Sequence, residues 1–350
     1  MTDYNPSGVA TANGNLYGLP HDYDAAQLIV IPVPWEVTVS YGAGTANAPQ
    51  QILNASTQLD LFDFDHPDGW RQGIFMPEIS PELWAKNRHY RSQAALVISA
   101  LEQGQPLTAE LTKIVTDINQ AGEQVNQWLE KQCLQAMQAG KRVAVIGGDH
   151  SSPLGYFRAL ATKYSDFGIL HIDAHADLRD AYEGFTYSHA SIMFNAIELP
   201  QLTKLVQVGL RDICQDEVDI INNSEGRIVA YYDAAINQRL YSGQTWVAIC
   251  QEIISHLPQQ VHISFDVDGL DPKLCPGTGT PVPGGLELEQ TYCLFRELVK
   301  SGRQIIGFDL CEVGDAEWDG NVGARIVYKL SNLMDISLKS LNSLFIPMVK

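Results

Sequence analysis

Short runs of apolar, often β-branched residues recur along this chain, and between them lie stretches whose apolar positions return every three or four residues. The runs predict strands at 28–31, 143–146, 168–172, 205–209, 227–231, 261–265 and 305–310. The periodic stretches predict helices at 48–56, 91–101, 108–139, 152–164, 244–256, 287–301 and 323–335. The longest carries Ile114, Ile118, Ala121, Val125, Trp128, Leu129, Cys133 and Met137 on one face, which reads as core packing, and Gly140 stands where a helix would be capped. Strands that are apolar at consecutive positions are buried on both faces, and strands alternating with helices make parallel sheets. The expected fold is therefore α/β: a three-layer αβα sandwich around a mostly parallel sheet.

Two stretches break the alternation. Residues 1–27 are polar and rich in Gly, Asn and Tyr, and are expected to form an irregular N-terminal arm. Residues 57–113 mix aromatic and proline-containing segments with short helical patterns, an elaboration within the domain or a contact between subunits. With no repeat, low-complexity tract or linker, residues 1–350 read as a single domain.

The composition, 45% hydrophobic and 18% charged, is ordinary. The formal net charge of −18 changes the picture: it argues against nucleic acid and anionic membranes as partners and favours cationic small molecules. No apolar run approaches spanning length, and the start Met1-Thr2-Asp3-Tyr4 does not read as a secretory leader. The cysteines are scattered without C-x-x-C spacing, as reduced core thiols in a cytoplasmic protein would be.

The chemistry collects where strands end. Asp173-Ala174-His175-Ala176-Asp177 follows one apolar run and Asp266-Val267-Asp268 follows another. Alternate residues of an extended chain point the same way, so Asp173, His175 and Asp177 project together, as do Asp266 and Asp268. A single Asp after a strand is usually a turn or cap residue. Four carboxylates and an imidazole in one small volume repel one another and call for divalent cations, which oxygen-rich sets with a few imidazoles suit. Gly147-Gly148-Asp149-His150-Ser151 ends a third strand. Its His150 reads as a further ligand, and its glycines as a tight turn. Tyr187-Ser188-His189-Ala190 lies in a polar loop, the small-residue loop 276–285 follows Asp268, and Phe308-Asp309-Leu310-Cys311-Glu312 closes the last strand on a carboxylate. Tyr41-Gly42-Ala43-Gly44-Thr45 lacks a phosphate-binding ending and reads as a structural or rim loop.

Together these motifs resemble the ureohydrolase family of arginases, agmatinases and related guanidino-compound hydrolases. The resemblance rests on Gly147–Ser151, Asp173–Asp177, Ser264–Pro272, Glu312 and Pro32-Val33-Pro34-Trp35, runs from about residue 28 to 335, and is nearest to agmatinase-type members. It implies an arginase-like fold and a centre of two Mn2+ ions, with Co2+ or Ni2+ admitted by the donor chemistry. His150, Asp173, Asp177 and Asp266 would hold one ion, and Asp173, His175, Asp266 and Asp268 the other. The implied reaction is hydrolysis of a small guanidino substrate to urea and an amine by hydroxide generated between the ions. Glu312 would bind the guanidinium, His189 would shuttle a proton, and Asp149 would orient a neighbour without touching metal. Arginases read their substrate's α-carboxylate and α-amine with an Asn after the D-x-H-x-D motif; here Leu178-Arg179-Asp180-Ala181-Tyr182-Glu183 stands instead. Asp180 and Glu183 would favour the amine of agmatine, giving putrescine. Arg179 would favour a carboxylate, as in 4-guanidinobutyrate or 3-guanidinopropionate, unless held in an ion pair. Agmatine is the expected substrate, with arginine, guanidino acids and free guanidine as alternatives. The resemblance also implies a homo-oligomer, a trimer or hexamer. A one-metal deacetylase would not need His150 and Asp268, and a non-catalytic regulatory homologue would be expected to have lost a ligand.

Overall fold

The computed structural model describes residues 4–339. Among them eight strands, β1 (Leu28–Pro32), β2 (Ile74–Phe75), β3 (Arg142–Ile146), β4 (Phe167–Ile172), β5 (Leu202–Leu210), β6 (Ile228–Tyr232), β7 (Gln260–Asp266) and β8 (Gln304–Cys311), form one sheet. Their order is β2-β1-β3-β8-β7-β4-β5-β6, and every neighbouring pair is parallel. The sheet is thus wholly parallel, as its doubly buried strands require.

The helices are α1 (Ala48–Ser56), α2 (Pro81–Glu102), α3 (Ala109–Gln138), α4 (Leu154–Lys163), α5 (Ile192–Ala196), α6 (Gln215–Asn223), α7 (Asp233–Tyr241), α8 (Trp246–Ser255), α9 (Leu288–Lys300) and α10 (Glu317–Lys339). They divide between two cores. Leu28 and Val30 of β1 face the core shared with α1, α8, α9 and α10, whereas Ile29 and Ile31 face the core shared with α2, α3 and α4. This alternation of one strand between two apolar layers is the three-layer sandwich expected from the pattern.

The arm before β1 is irregular but firmly packed: Leu16, Tyr17 and Leu19 are fully buried, and the Tyr17 hydroxyl donates to the carbonyl of Ala324 at 2.9 Å. Residues 1–3 of that arm lie outside the described residues. Segment 57–113 supplies the edge strand β2 and helix α2, which buries Leu83, Ala94, Val97 and Ile98 against the second core. The short strand β2 and helices α5, α6 and α7 had no expectation. Helix α6 is nine residues long, and its apolar positions Val218, Ile220 and Ile221 are only partly buried, with Ile220 and Ile221 packed against the second core. Gly140 ends α3 with φ +75°, the left-handed conformation a helix cap uses.

Candidate active site

Strands β3, β8, β7 and β4 are successive neighbours, and their carboxyl ends carry His150, Glu312, Asp266 with Asp268, and Asp173 with His175 and Asp177. Ligands of open parallel sheets collect at such ends, where the strand order switches. β3 and β4 are not adjacent, since β8 and β7 lie between them, yet His150 reaches Asp173.

Two groups of side chains result. Around His150 Nδ1 lie Oδ2 of Asp173 at 3.0 Å, of Asp177 at 3.1 Å and of Asp266 at 3.3 Å. Around His175 Nδ1 lie Asp268 Oδ2 at 3.0 Å and Asp173 Oδ1 at 3.5 Å. Asp173 thus faces both imidazoles, one through each oxygen. Asp266 meets the first group, while its Oδ1 accepts the backbone N–H of Asp268 at 2.8 Å. Oxygen donors with one imidazole in each group are a donor set for hard or borderline divalent cations.

A cavity opens onto both groups, walled by Ser40, Arg179, Tyr182, His189, Asp212, Glu217, Thr280 and Glu312. Glu312 Oε1 accepts the backbone N–H of His150 at 3.0 Å; its Oε2 is buried with no hydrogen-bond partner among the described residues. Gly279 is required beside it, because a Cβ there would stand 2.7 Å from that oxygen. Asp177 and Glu312 both hold left-handed backbone, φ +55° and +61°, a conformation costly outside glycine and concentrated at functional sites.

The sequence model of the Arginase family matches residues 26–330. The chain belongs to the arginase family. It is 30% identical over 314 residues to the N(1)-aminopropylagmatine ureohydrolase of Synechocystis sp., covering 88% of this chain and 89% of that one. It is 29% identical over 301 residues to the agmatinase of Serratia proteamaculans, covering 85% and 82%. The solved agmatine ureohydrolase of Thermoplasma volcanium shares the fold, with TM-score 0.68 over 92% of this chain and 94% of that one at 21% identity. As an arginase-family ureohydrolase the protein is a hydrolase of amidine C–N bonds.

Electrostatics show why this family's site suits cations. Taken as protein groups alone, burial and then the neighbouring Asp268 and Asp173 push Asp266 well above the carboxylate range. Burial, Asp266 and Asp149 do the same to Glu312, and burial with Asp173 lifts Asp177 to about 6. Burial works against a charged His175, but Asp268 and Asp173 outweigh it and hold the imidazole up at about 12. Protons would thus have to fill the cluster if cations did not, so the residues fit a divalent pair.

The remaining expected residues divide. His189 lines the cavity, with its Nδ1 3.3 Å from the Thr38 hydroxyl; burial, then His175 and His150, lower its pKa to about 4. Asp149 contacts no candidate ligand side chain. Its Oδ1 accepts the N–H of Ser151 at 3.0 Å and orders the turn, and burial raises it to about 7. Arg179 sits 4.0 Å from Glu217 with its guanidinium 4.7 Å over the Tyr182 ring. Asp180 is exposed, Glu183 buries its Oε2, and neither lines the cavity.

The acids that do line it beyond the metal groups and Glu312 are Asp212 and Glu217, which sequence reasoning missed. Glu217 is occupied by the N–H groups of Leu178 and Cys214, both at 3.0 Å. Also missed was a polar row beneath the site: Gln207, His171, Ser264 and Asp309 pair in register across β5, β4, β7 and β8. Gln207 donates to His171 Nδ1 at 3.0 Å, so His171 Nε2 carries the proton and donates to Asp173 Oδ2 at 2.7 Å. Ser264 lies 2.9 Å from His150 Nε2 and donates to Asp309 at 3.0 Å. For His171 and Ser264 the available signal was a polar residue two positions before a ligating Asp, on the same face of its strand; Gln207 and Asp309 carry no such mark.

Proposed function

We propose that this arginase-family ureohydrolase cleaves agmatine, or a closely related aminoalkylguanidine, to urea and an amine, putrescine in agmatine's case. The observation that carries the reading is the buried, unpartnered Glu312 Oε2 on the wall of the cavity onto which both ligand groups open. A guanidinium is planar and rich in donors, and a fixed carboxylate both holds and orients it.

His150, Asp173, Asp177 and Asp266 would hold one cation, and Asp173, His175, Asp266 and Asp268 the other, with manganese proposed on resemblance and cobalt or nickel admitted. When bound, such a pair would lower the pKa of bound water toward neutrality and so supply the nucleophile. The chain's own side chains do the rest. Glu312 accepts the guanidinium N–H groups and turns the central carbon toward the ligand groups. His189, steadied at Nδ1 by Thr38 and held neutral by its buried setting, relays a proton from the attacking water to the departing amine nitrogen, which leaves with the C–N bond electrons. His171 and Ser264 hold Asp173 and His150 from beneath.

On the cavity wall, where its backbone N–H donates to the Ala174 carbonyl at 3.1 Å, Asp212 is exposed and makes no ion pair among the described residues, so we assign it to receive a substrate ammonium. Arg179 lies 4.0 Å from Glu217 and over the Tyr182 ring, contacts that draw it away from a substrate carboxylate. The relatives named agmatinase and aminopropylagmatine ureohydrolase support an amine-bearing tail. We propose as well that the chain acts as one domain, since one sheet carries every candidate ligand. Assembly as a trimer or hexamer and a reducing cytoplasmic setting for its free cysteines belong to the same proposal.

The test is urea release by manganese-loaded protein from agmatine, N(1)-aminopropylagmatine, arginine, 4-guanidinobutyrate, 3-guanidinopropionate and guanidine. Agmatine or its aminopropyl derivative is expected to give the highest kcat/KM. A preference for a guanidino acid would transfer the specificity role from Asp212 to Arg179, and no urea from any of them would refute the reading.

A further inference from the structure

Strand β5 ends irregularly. Its register against β6 shifts between Val208 and Leu210, at Gly209, whose φ is +106° and where a Cβ would stand 2.9 Å from the carbonyl oxygen of Asp173. Such an irregularity re-aims the side chains that follow it. Two residues on, Arg211 turns beneath the loop after β7. Its Nη2 donates to the carbonyl oxygens of Asp268 at 2.6 Å, Leu270 at 3.1 Å and Val282 at 2.9 Å. Nε donates to Val282 at 3.3 Å, and Nη1 to Gly209 at 3.0 Å. Among the described residues Arg211 has no carboxylate ion pair, so this guanidinium is spent on main-chain oxygens. Gly285 leaves it room, since a Cβ there would come 2.8 Å from Nη2.

The segments it joins all border the second group, of which Asp173 alone is shared with the first. The first is the end of β5, packed on Asp173. The second is the turn that carries Asp268. The third is the 276–285 loop, which carries Thr280, a cavity residue whose hydroxyl lies 3.4 Å from Asp268 Oδ2. None of them carries His150 or Asp177. We propose that Arg211 is a positioning residue for the second cation group, Asp173–His175–Asp268, and for the cavity wall at Thr280. By gripping the carbonyl of Asp268 it sets that residue's carboxylate against His175. A lysine ammonium cannot reproduce this reach, because the planar fork offers donors in several fixed directions at once. The proposal rests on the two-cation reading above.

Arg227 supplies a matched control. It too donates to main-chain carbonyls, those of Leu199 and Leu202, but at the opposite end of the sheet. The experiment is Mn2+ titration, with free ion followed by electron paramagnetic resonance, on the full chain and on Arg211→Met, Arg211→Lys and Arg227→Met, each checked by thermal melting. The parent chain is expected to take two ions. Arg211→Met should keep one at unchanged affinity and bind the other about 10- to 100-fold more weakly, Arg211→Lys should recover part of that loss, and Arg227→Met should bind both normally despite a lower melting temperature. If Arg211→Met does not fold, Arg211→Lys carries the comparison. Two ions at parental affinity in the Arg211 variants overturn the proposal, as does equal weakening of both ions matched by Arg227→Met. Fewer than two ions in the parent chain would instead overturn the two-cation reading, and this proposal with it.

Discussion

Asp173 is the residue on which both halves of the site depend, because each of its oxygens faces a different imidazole. Asp173→Ala or Asp266→Ala should therefore abolish both metal binding and hydrolysis; retained urea release in either variant would sink the metal assignment. Glu312 belongs to a different category. Among the described residues its carboxylate accepts a hydrogen bond through Oε1 only, from the backbone of His150. Glu312→Gln should leave metal content intact while kcat/KM falls on the order of 10²- to 10³-fold, as when a fixed charge that orients substrate is neutralised. Loss of metal in that variant would move Glu312 into the ligand set. His189→Asn should likewise keep its metal and lose about 10²- to 10⁴-fold in kcat, the usual contribution of a placed acid–base group. Asp173, Asp266 and Glu312 were legible in the sequence because each ends an apolar run, whereas His189, in a polar loop, was reached only through the family resemblance. Asp212 was not, since an exposed acid after a strand has no local mark that sets it apart from a cap.

Elements aim these residues, and the turn after β3 shows how tightly. A Cβ at Gly148 would stand 2.1 Å from the carbonyl oxygen of Trp35, whose oxygen also accepts the N–H of Asp149 at 2.8 Å. Gly148→Ala must push the two segments apart and carry His150 with them. We expect a loss of about 1–3 kcal/mol, typical of overpacking, together with weaker metal binding, read by melting with and without Mn2+. An unchanged melt would mean that the turn is softer than its contacts indicate. The strands were legible because a doubly buried parallel strand has an unbroken apolar signature, and α3 because its stripe persists over 30 residues. Helix α2 was read only over its second half. Its buried positions, Leu83, Asn87, Ala94, Val97, Ile98 and Ala100, are sparse at the start and include an Asn.

At the scale of the molecule, Asp335 ties α10 to the sheet and to segment 57–80. Its buried carboxylate meets Arg142 at 2.6 Å and His66 and Lys339 at 2.7 Å. Burial works to raise its pKa, but hydrogen bonds from His66 and Lys339 and the Arg142 charge outweigh it and hold the group well below the usual range. A depressed folded pKa contributes stability that is complete above about pH 4, the unfolded value, and is lost as pH falls through the folded one. Asp335→Ala should thus cost about 3 kcal/mol at pH 7, with the gap to the parent chain closing below pH 4. A gap that stays constant into acid would show that packing, and not the charge, accounts for the loss.

The sequence by itself determined the α/β class, the alternation of strand and helix, and which residues stand at strand ends. Those properties depend on side-chain periods of two and 3.6 residues, which are local. Only the tertiary structure decided that β8 and β7 lie between β3 and β4, so that His150, Asp173, Asp266, Asp268 and Glu312 meet from four adjacent strands. The same long-range pairing lines up the Gln207–His171–Ser264–Asp309 row, turns Arg179 toward Glu217, leaves Asp212 in the cavity wall and brings Arg211 under Asp268. Strand order is set by crossovers between residues far apart in the chain, and no local pattern records which strand will be a neighbour.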